Sequence, residues 1–271
     1  MSDIASEIAI SSFTYCSPAK GASRARSWAT MAGRCVRLSS RQVDTLTTSL
    51  VLPVMLMLLF VYLFGGAIDP GAHYVTYVAP GVLVLCAGFG AASTAVGVAQ
   101  DMTTGTVDRF RSMDVSGAAM LAGHVVASVA RNVIATALVL GVAVAIGFRP
   151  APTIGGAIAT AGILLAFVVA ISWLAAMFGL VAKSAEAASG FTFLLVFLPY
   201  PSSAFVKIST MPTWIQGFAR HQPVTPVVES IRAFALGRAA GANPWEALAW
   251  CAVIVAASIA GGSVLFARKG H

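Results

Sequence analysis

From Pro150 to Ala182 the chain carries no Asp, Glu, Lys or Arg. That run exceeds the roughly 20 apolar residues a helix needs to cross a bilayer. In hydrocarbon every backbone polar group must be satisfied internally, so such a run is helical. The rest of the sequence repeats the pattern. Of 271 residues only 10 % are charged, and 58 % are apolar even without glycine; a soluble domain has roughly 25 % charged residues. Too few polar residues remain to cover a soluble surface, and the same composition excludes disorder. Four scattered cysteines, Cys16, Cys35, Cys86 and Cys251, do not make a disulfide framework. The expectation is an all-α, polytopic membrane protein.

The apolar runs predict six transmembrane helices, at about 46–64, 74–98, 118–148, 154–181, 189–205 and 244–266. Pro53 predicts a kink in the first. Gly81, Gly88, Gly90 and Gly97 in the second would let neighbouring helices approach closely. The third outruns the bilayer, so its start should protrude; Arg149-Pro150-Ala151-Pro152 breaks it. Lys183 and Glu186 mark a tight turn, and Pro199 and Pro201 interrupt the fifth span.

Residues 207–243 are too polar and too proline-rich to span. Two short helices are expected there, one from Pro212 with Trp214 and Ile215. The other takes Thr225 as N-cap and Pro226 at its first position, a Glu229–Arg232 pair at i,i+3 and Gly237 as terminator. Proline breaks combined with amphipathic helices suggest short outer re-entrant helices. Such backbone is tolerated at membrane depth only when buried in protein or lining a cavity. The plainer reading of Trp214 and Trp245 is interfacial aromatics.

Residues 1–23 read as a flexible cytoplasmic tail without a cleavable signal peptide; residues 24–271 then form a single membrane domain. Over 24–43, Arg26, Arg34, Arg37 and Arg41 fall on one helical arc, opposite Trp28, Ala32, Cys35, Val43 and Leu46. That predicts an amphipathic interfacial helix whose cationic face contacts anionic lipids. The net charge of +7 therefore reads as topology and lipid contact, not as nucleic-acid binding. With the N-terminus inside, inner segments hold eleven Lys and Arg and outer segments five. This bias predicts a multi-pass plasma-membrane protein with both termini cytoplasmic.

Two internal features stand out. The segment 100–117 is a polar island of mixed charge containing Asp101, Thr106, Asp108, Arg109, Phe110 and Arg111. It suits a short helix presented to a soluble partner, or simply a solvated loop. In the third span His124, Ser128 and Arg131 share a face, with Asn132 beside it. Ser128 and Asn132 read as interhelical hydrogen-bond partners. Arg131 either snorkels to the inner interface or pairs structurally, or it serves a substrate or gating role.

Familiar enzyme chemistry is missing. None of the four lysines follows a glycine, so the Gly-Lys-Ser/Thr phosphate cradle is lacking. There is no Cys-x-x-Cys, no His-Glu-x-x-His and no glycine-flanked serine elbow, and the four histidines lie far apart.

The pattern of short motifs is more specific than any one of them. Asp101 is followed by Gly105-Thr106-Val107-Asp108-Arg109-Phe110-Arg111-Ser112-Met113. Ser184-Ala185-Glu186-Ala187 comes next, then Leu198-Pro199 leading to Ser202-Ser203-Ala204-Phe205. Met211-Pro212-Thr213-Trp214-Ile215-Gln216, His221-Gln222-Pro223-Val224-Thr225-Pro226 and Ser230-Ile231-Arg232 complete the series. In this order the chain resembles the membrane subunit of a type-2 ABC exporter, of the daunorubicin-resistance permease kind. The resemblance implies six spans forming half of a dimeric pore, with a second permease protomer, identical or different. It implies two copies of a separate ATPase subunit, which would hold the ATP and magnesium, and no cofactor in this chain. The 100–117 segment becomes a coupling helix; Trp214, Gln222, Pro223 and Arg232 fall in an outer gate. The transported molecule would be a lipophilic drug, antibiotic or lipid-like compound. Polysaccharide export is the alternative within the family, and calls for a wide aromatic-lined channel. An ion-coupled secondary carrier is the alternative outside it. A carrier expects carboxylates in mid-span, whereas Asp69, Asp101, Asp108, Asp114, Glu186, Glu229 and Glu246 fall in loops or at span ends.

Overall fold

The computed structural model describes residues 43–68, 74–103 and 117–268, and every regular element among them is helical. Helix α1 (Val43–Leu58) runs directly into a π-helical turn, Leu59–Phe64, and a last α turn, Gly65–Ile68. There follow α2 (Tyr74–Thr103), α3 (Gly117–Ala145), α4 (Ile154–Val181) and α5 (Ala185–Phe197). A 3-10 turn, Ile208–Thr210, leads to α6 (Thr213–His221), α7 (Val224–Ala235) and α8 (Asn243–Arg268). Four helices are long and apolar enough to cross a membrane: α2, α3 over Leu121–Ala145, α4, and α8 over Asn243–Leu265. Shorter apolar stretches lie at Val51–Phe64 and Ala185–Phe197.

Helix α2 is the axis. It packs against α1, α3, α4, α5 and α7, and 72 % of its most apolar stretch is buried, against 17 % for α8. Its small residues make that possible. Lipid tails are as apolar as leucine, so helices in a membrane gain by close van der Waals approach. Each of the four glycines meets a different neighbour. A Cβ on Gly81 would fall 2.7 Å from the Ala204 carbonyl oxygen, and one on Gly90 would overlap the Asn132 carboxamide. Gly88 faces the Leu195–Val196 backbone and Gly97 the His124 ring, both at ordinary contact distance. From the other side Gly179 of α4 meets the Ala95 carbonyl. By contrast α8 shows Leu248, Val253, Ile259 and Val264 outward, as a lipid-facing helix would.

The helix ends follow local chemistry. Thr153 accepts a hydrogen bond from the Gly156 N–H at 3.1 Å and caps α4. Ser184 does the same for α5 from the Ala187 N–H at 3.2 Å. At the end of α3, Gly147 has φ +112°. There the Phe148 N–H bonds the Ala143 carbonyl and the Gly147 N–H bonds Val144. Gly237, at φ +64°, ends α7 in the same Schellman arrangement: the Arg238 N–H reaches Ala233 and the Gly237 N–H reaches Phe234.

Several expectations change. The third span stops at Ala145 rather than Phe148, because Gly147 closes the helix before Arg149-Pro150 is reached. Where a fifth span was expected at 189–205 the structure has a shorter apolar helix of 13 residues, Ala185–Phe197: the Ser184 cap starts it early and Pro199 with Pro201 ends it early. Thr225 is not an N-cap. It lies inside α7, which starts after Pro223, and its hydroxyl donates to the Ala219 carbonyl. The irregularity in α1 is the π turn, six residues after Pro53. The interfacial helix 24–43 lies outside the described residues apart from its last residue, and most of the 100–117 segment lies outside them too.

The Gly81 contact predicts that Gly81→Val forces the Ala204 backbone off α2. Thermal unfolding in detergent should show a loss of about 1–3 kcal/mol, typical of overpacking. Around Gly141 the space a Cβ would take is open, so Gly141→Ala should lose nothing and gain up to about 1 kcal/mol from helix propensity.

Candidate functional site

Polar side chains among the described residues concentrate at three levels along α2. Tyr77 and Asp101 are 24 residues apart, roughly 36 Å at about 1.5 Å per residue. That exceeds a hydrocarbon core of about 30 Å, so α2 is long enough to reach from one surface of a bilayer to the other.

At the Asp101 end, His124 Nε2 lies 3.0 Å from Asp101 Oδ2. This pair joins the last turn of α2 to the first half of α3, across the base of the 104–116 connection. Thr106, Asp108, Arg109, Phe110 and Arg111 lie outside the described residues. So do Arg26, Arg34, Arg37 and Arg41.

Deeper in, the face read from the sequence turns toward α2 and α4. Ser128 Oγ is 2.8 Å from Ser172 Oγ of α4, a buried interhelical bond. Asn132 Nδ2 donates to the Ser128 carbonyl at 3.0 Å, within its own helix, while its carboxamide fills the space Gly90 leaves open. Arg131 is 8 % exposed and Nη2 donates to the Gly90 carbonyl and to Thr94 Oγ1, each at 3.1 Å. The helices are antiparallel, with residue 124 level with 101. The guanidinium therefore sits level with its own backbone or deeper, away from the near interface. Structural pairing, not snorkelling, describes Arg131: its acceptors are protein groups, as a charge at depth requires.

At the Tyr77 end the backbone leaves the helix. Residues 198–206 form consecutive turns, and Ser202, Ser203, Ala204 and Phe205 are almost fully buried. Their carbonyls have no ladder to join, and an unpaired buried carbonyl is costly. Side chains supply the missing donors. Ser202 Oγ donates to the Pro199 carbonyl and Gln222 Nε2 to the Pro201 carbonyl, each at 2.5 Å. The Tyr77 hydroxyl donates to the Ser203 carbonyl and the Tyr74 hydroxyl to the Phe205 carbonyl, each at 2.9 Å. Arg232 contributes most. Its Nη2 donates to the Ser203 carbonyl at 2.8 Å and to the Tyr77 carbonyl at 2.9 Å, Nε adds a bond to Tyr77 at 3.2 Å, and Nη1 pairs with Glu229 Oε1 at 2.7 Å. Its guanidinium also lies 3.8 Å from the centre of the Tyr77 ring, a cation–π contact.

Irregular buried backbone thus also precedes the expected outer element, at 198–206. Within 207–243, α7 is largely buried, with nine of its twelve residues inside the protein. Gln222 and Arg232 serve the 198–206 turns directly, and Pro223 sits at the start of α7. Trp214 is 81 % exposed and Trp245 76 %, so neither joins the cluster. Tyr74, Tyr77, Thr94 and Ser172 belong to these networks without standing out in the sequence. The available signal was a lone hydroxyl in a charge-free run, which needs a partner once buried.

The clamp predicts a separation of effects. Arg232→Gln should cost about 2–3 kcal/mol in detergent unfolding, as charged hydrogen bonds to buried carbonyls are lost. Glu229→Gln should cost less than about 1 kcal/mol, because that pair is partly solvated and the carbonyl bonds persist.

Residues 26–236 match the family described as ABC-2 type transporter. The chain is 31 % identical over 191 residues to the daunorubicin resistance ABC transporter permease protein DrrB1 of Streptomyces coeruleorubidus, covering 70 % of this chain and 68 % of that one. It is 23 % identical over 204 residues to the probable doxorubicin resistance ABC transporter permease protein DrrC of Mycobacterium tuberculosis, covering 73 % and 72 %. The chain belongs to the ABC-2 type transporter family and is the membrane permease subunit of an ABC exporter.

Proposed function

We propose that this permease exports lipophilic, drug-like molecules as one half of a dimeric pathway driven by a separate ATPase. Relatives named for daunorubicin and doxorubicin resistance support the substrate class. The lack of a phosphate cradle supports a separate ATPase subunit that holds ATP and magnesium, two copies of it serving the dimer. The observation that carries the reading is the course of α2. One rigid helix starts at the outer carbonyl clamp and ends at Asp101, where the pair with His124 ties it to α3. A push on the 100–117 segment through Thr106, Asp108, Arg109, Phe110 and Arg111 would therefore move α2 and α3 together. The same motion would reach Tyr77, Arg232 and the 198–206 turns. Rigid-element transmission of this kind is a standard route from a nucleotide site to a distant gate.

In this reading α1 and α5 complete the six spans. Their exposed residues, among them Met55, Tyr62, Leu63, Phe193 and Leu194, meet the second protomer or the pathway. Both termini are cytoplasmic, and Arg26, Arg34, Arg37 and Arg41 rest on anionic headgroups of the inner leaflet. Arg131, Asn132 and Ser128 hold α2, α3 and α4 together beside the pathway. Trp214 anchors the outer element at the interface.

Charge reversal at Arg109→Glu with Arg111→Glu tests the coupling assignment. The expected result is loss of ATPase co-purification and of drug resistance, with membrane insertion unchanged. Full co-purification of the ATPase with the doubly reversed permease would contradict it.

A further inference from the structure

A crevice of about 360 Å³ opens between α3 and α4. Its floor is Pro80 and Leu83 of α2, and one end is closed by Phe148, Pro150 and Pro152 of the turn and by Ala235 of α7. Val133, Leu140 and Leu165 form its lips and are 54 %, 37 % and 46 % exposed, so it opens on the outside of the helix bundle. Thr136 and Thr160 also line it, but their hydroxyl oxygens are buried; the wall presents hydrocarbon. Apolar cavities do not hold water. Taking about 30 Å³ for a group the size of water, the space fits on the order of a dozen methylenes.

The closed end is not apolar outside. Arg149 stands between Phe148 and Pro150 and is exposed. Gly237 approaches the Ala151 carbonyl, and the Ala151 N–H bonds the Ala235 carbonyl, which brings the end of α7 and exposed Arg238 to the same turn. Neither arginine takes part in the two ion pairs formed among the described residues. A hydrocarbon slot that opens on the outside of the bundle and ends at a turn bearing two exposed cations has the complementarity of one ligand class. We infer that the α3–α4 crevice holds one acyl chain of an anionic phospholipid, with the phosphate at Arg149 and Arg238. This site is separate from the transport reading: it requires a bilayer, not an ATPase or a drug.

The test uses the full chain in phosphatidylcholine nanodiscs doped with phosphatidylglycerol that carries a diazirine in one acyl chain. After irradiation, labelled positions are mapped by peptide mass spectrometry. Labelling should concentrate on the crevice walls within 133–140 and 157–165. Arg149→Glu with Arg238→Glu should lower it there about tenfold, and phosphatidylcholine with the same diazirine chain should label about tenfold less than phosphatidylglycerol. Ala161→Trp, which fills the crevice, should abolish it while the unfolding temperature stays near that of the parent; Val133→Trp replaces that variant if it does not fold. Equal labelling of α8 and the crevice walls, or equal labelling by the two lipids, would overturn the inference.

Discussion

A segment of buried, non-helical backbone sets the terms for one whole end of this molecule. Residues 198–206 lie against α2, and their buried carbonyls have no helical ladder. Outside a helix or closed barrel, such backbone survives at membrane depth only if protein donors replace water. Five side chains meet that need: Ser202 from the segment itself, Tyr74 and Tyr77 from α2, Gln222 from the α6–α7 junction and Arg232 from α7. The donors fix where α7 lies, and α7 in turn closes one end of the α3–α4 crevice. Gly81 completes the arrangement, because only a residue without a side chain admits Ala204 so close.

The same logic runs down α2 in milder form. Gly90 accepts the Asn132 carboxamide and offers its carbonyl to Arg131; Gly97 accepts the His124 ring. Each of these polar residues of α3 is thereby matched to a glycine or a hydroxyl on a neighbouring helix. Interhelical hydrogen bonds of this type average about 0.6 kcal/mol, so they contribute register more than bulk stability. The polar contacts of α2 thus lie at both ends and at mid-depth.

Much of this was legible in the sequence. The fourth span was readable to the residue, since Thr153 and Lys183 bracket a run without charge. The four glycines of α2 announced close approach, and Glu229–Arg232 with Gly237 announced α7. What could not be read was which carbonyls lacked donors. Pro199 and Pro201 signal a break, but the identity of the donors depends on residues over 100 positions away, such as Tyr74 to Phe205. Arg232 looked like a local helix pair for the same reason: Glu229 is near in sequence, whereas Tyr77 and Ser203 are near only in space. Arg131 was ambiguous because snorkelling or structural pairing and a substrate or gating role make the same sequence pattern; its bonds to the Gly90 carbonyl and Thr94, on another helix, could not be read there.

The most direct measurement is drug movement in a defined system. The permease and its partner ATPase, together and singly, are reconstituted in proteoliposomes with the ATPase site facing the bath. Daunorubicin accumulation is then followed by fluorescence. Accumulation should require ATP and both proteins, and should persist when proton and sodium gradients are dissipated. ATP-independent accumulation by the permease alone, driven by an ion gradient, would contradict the account.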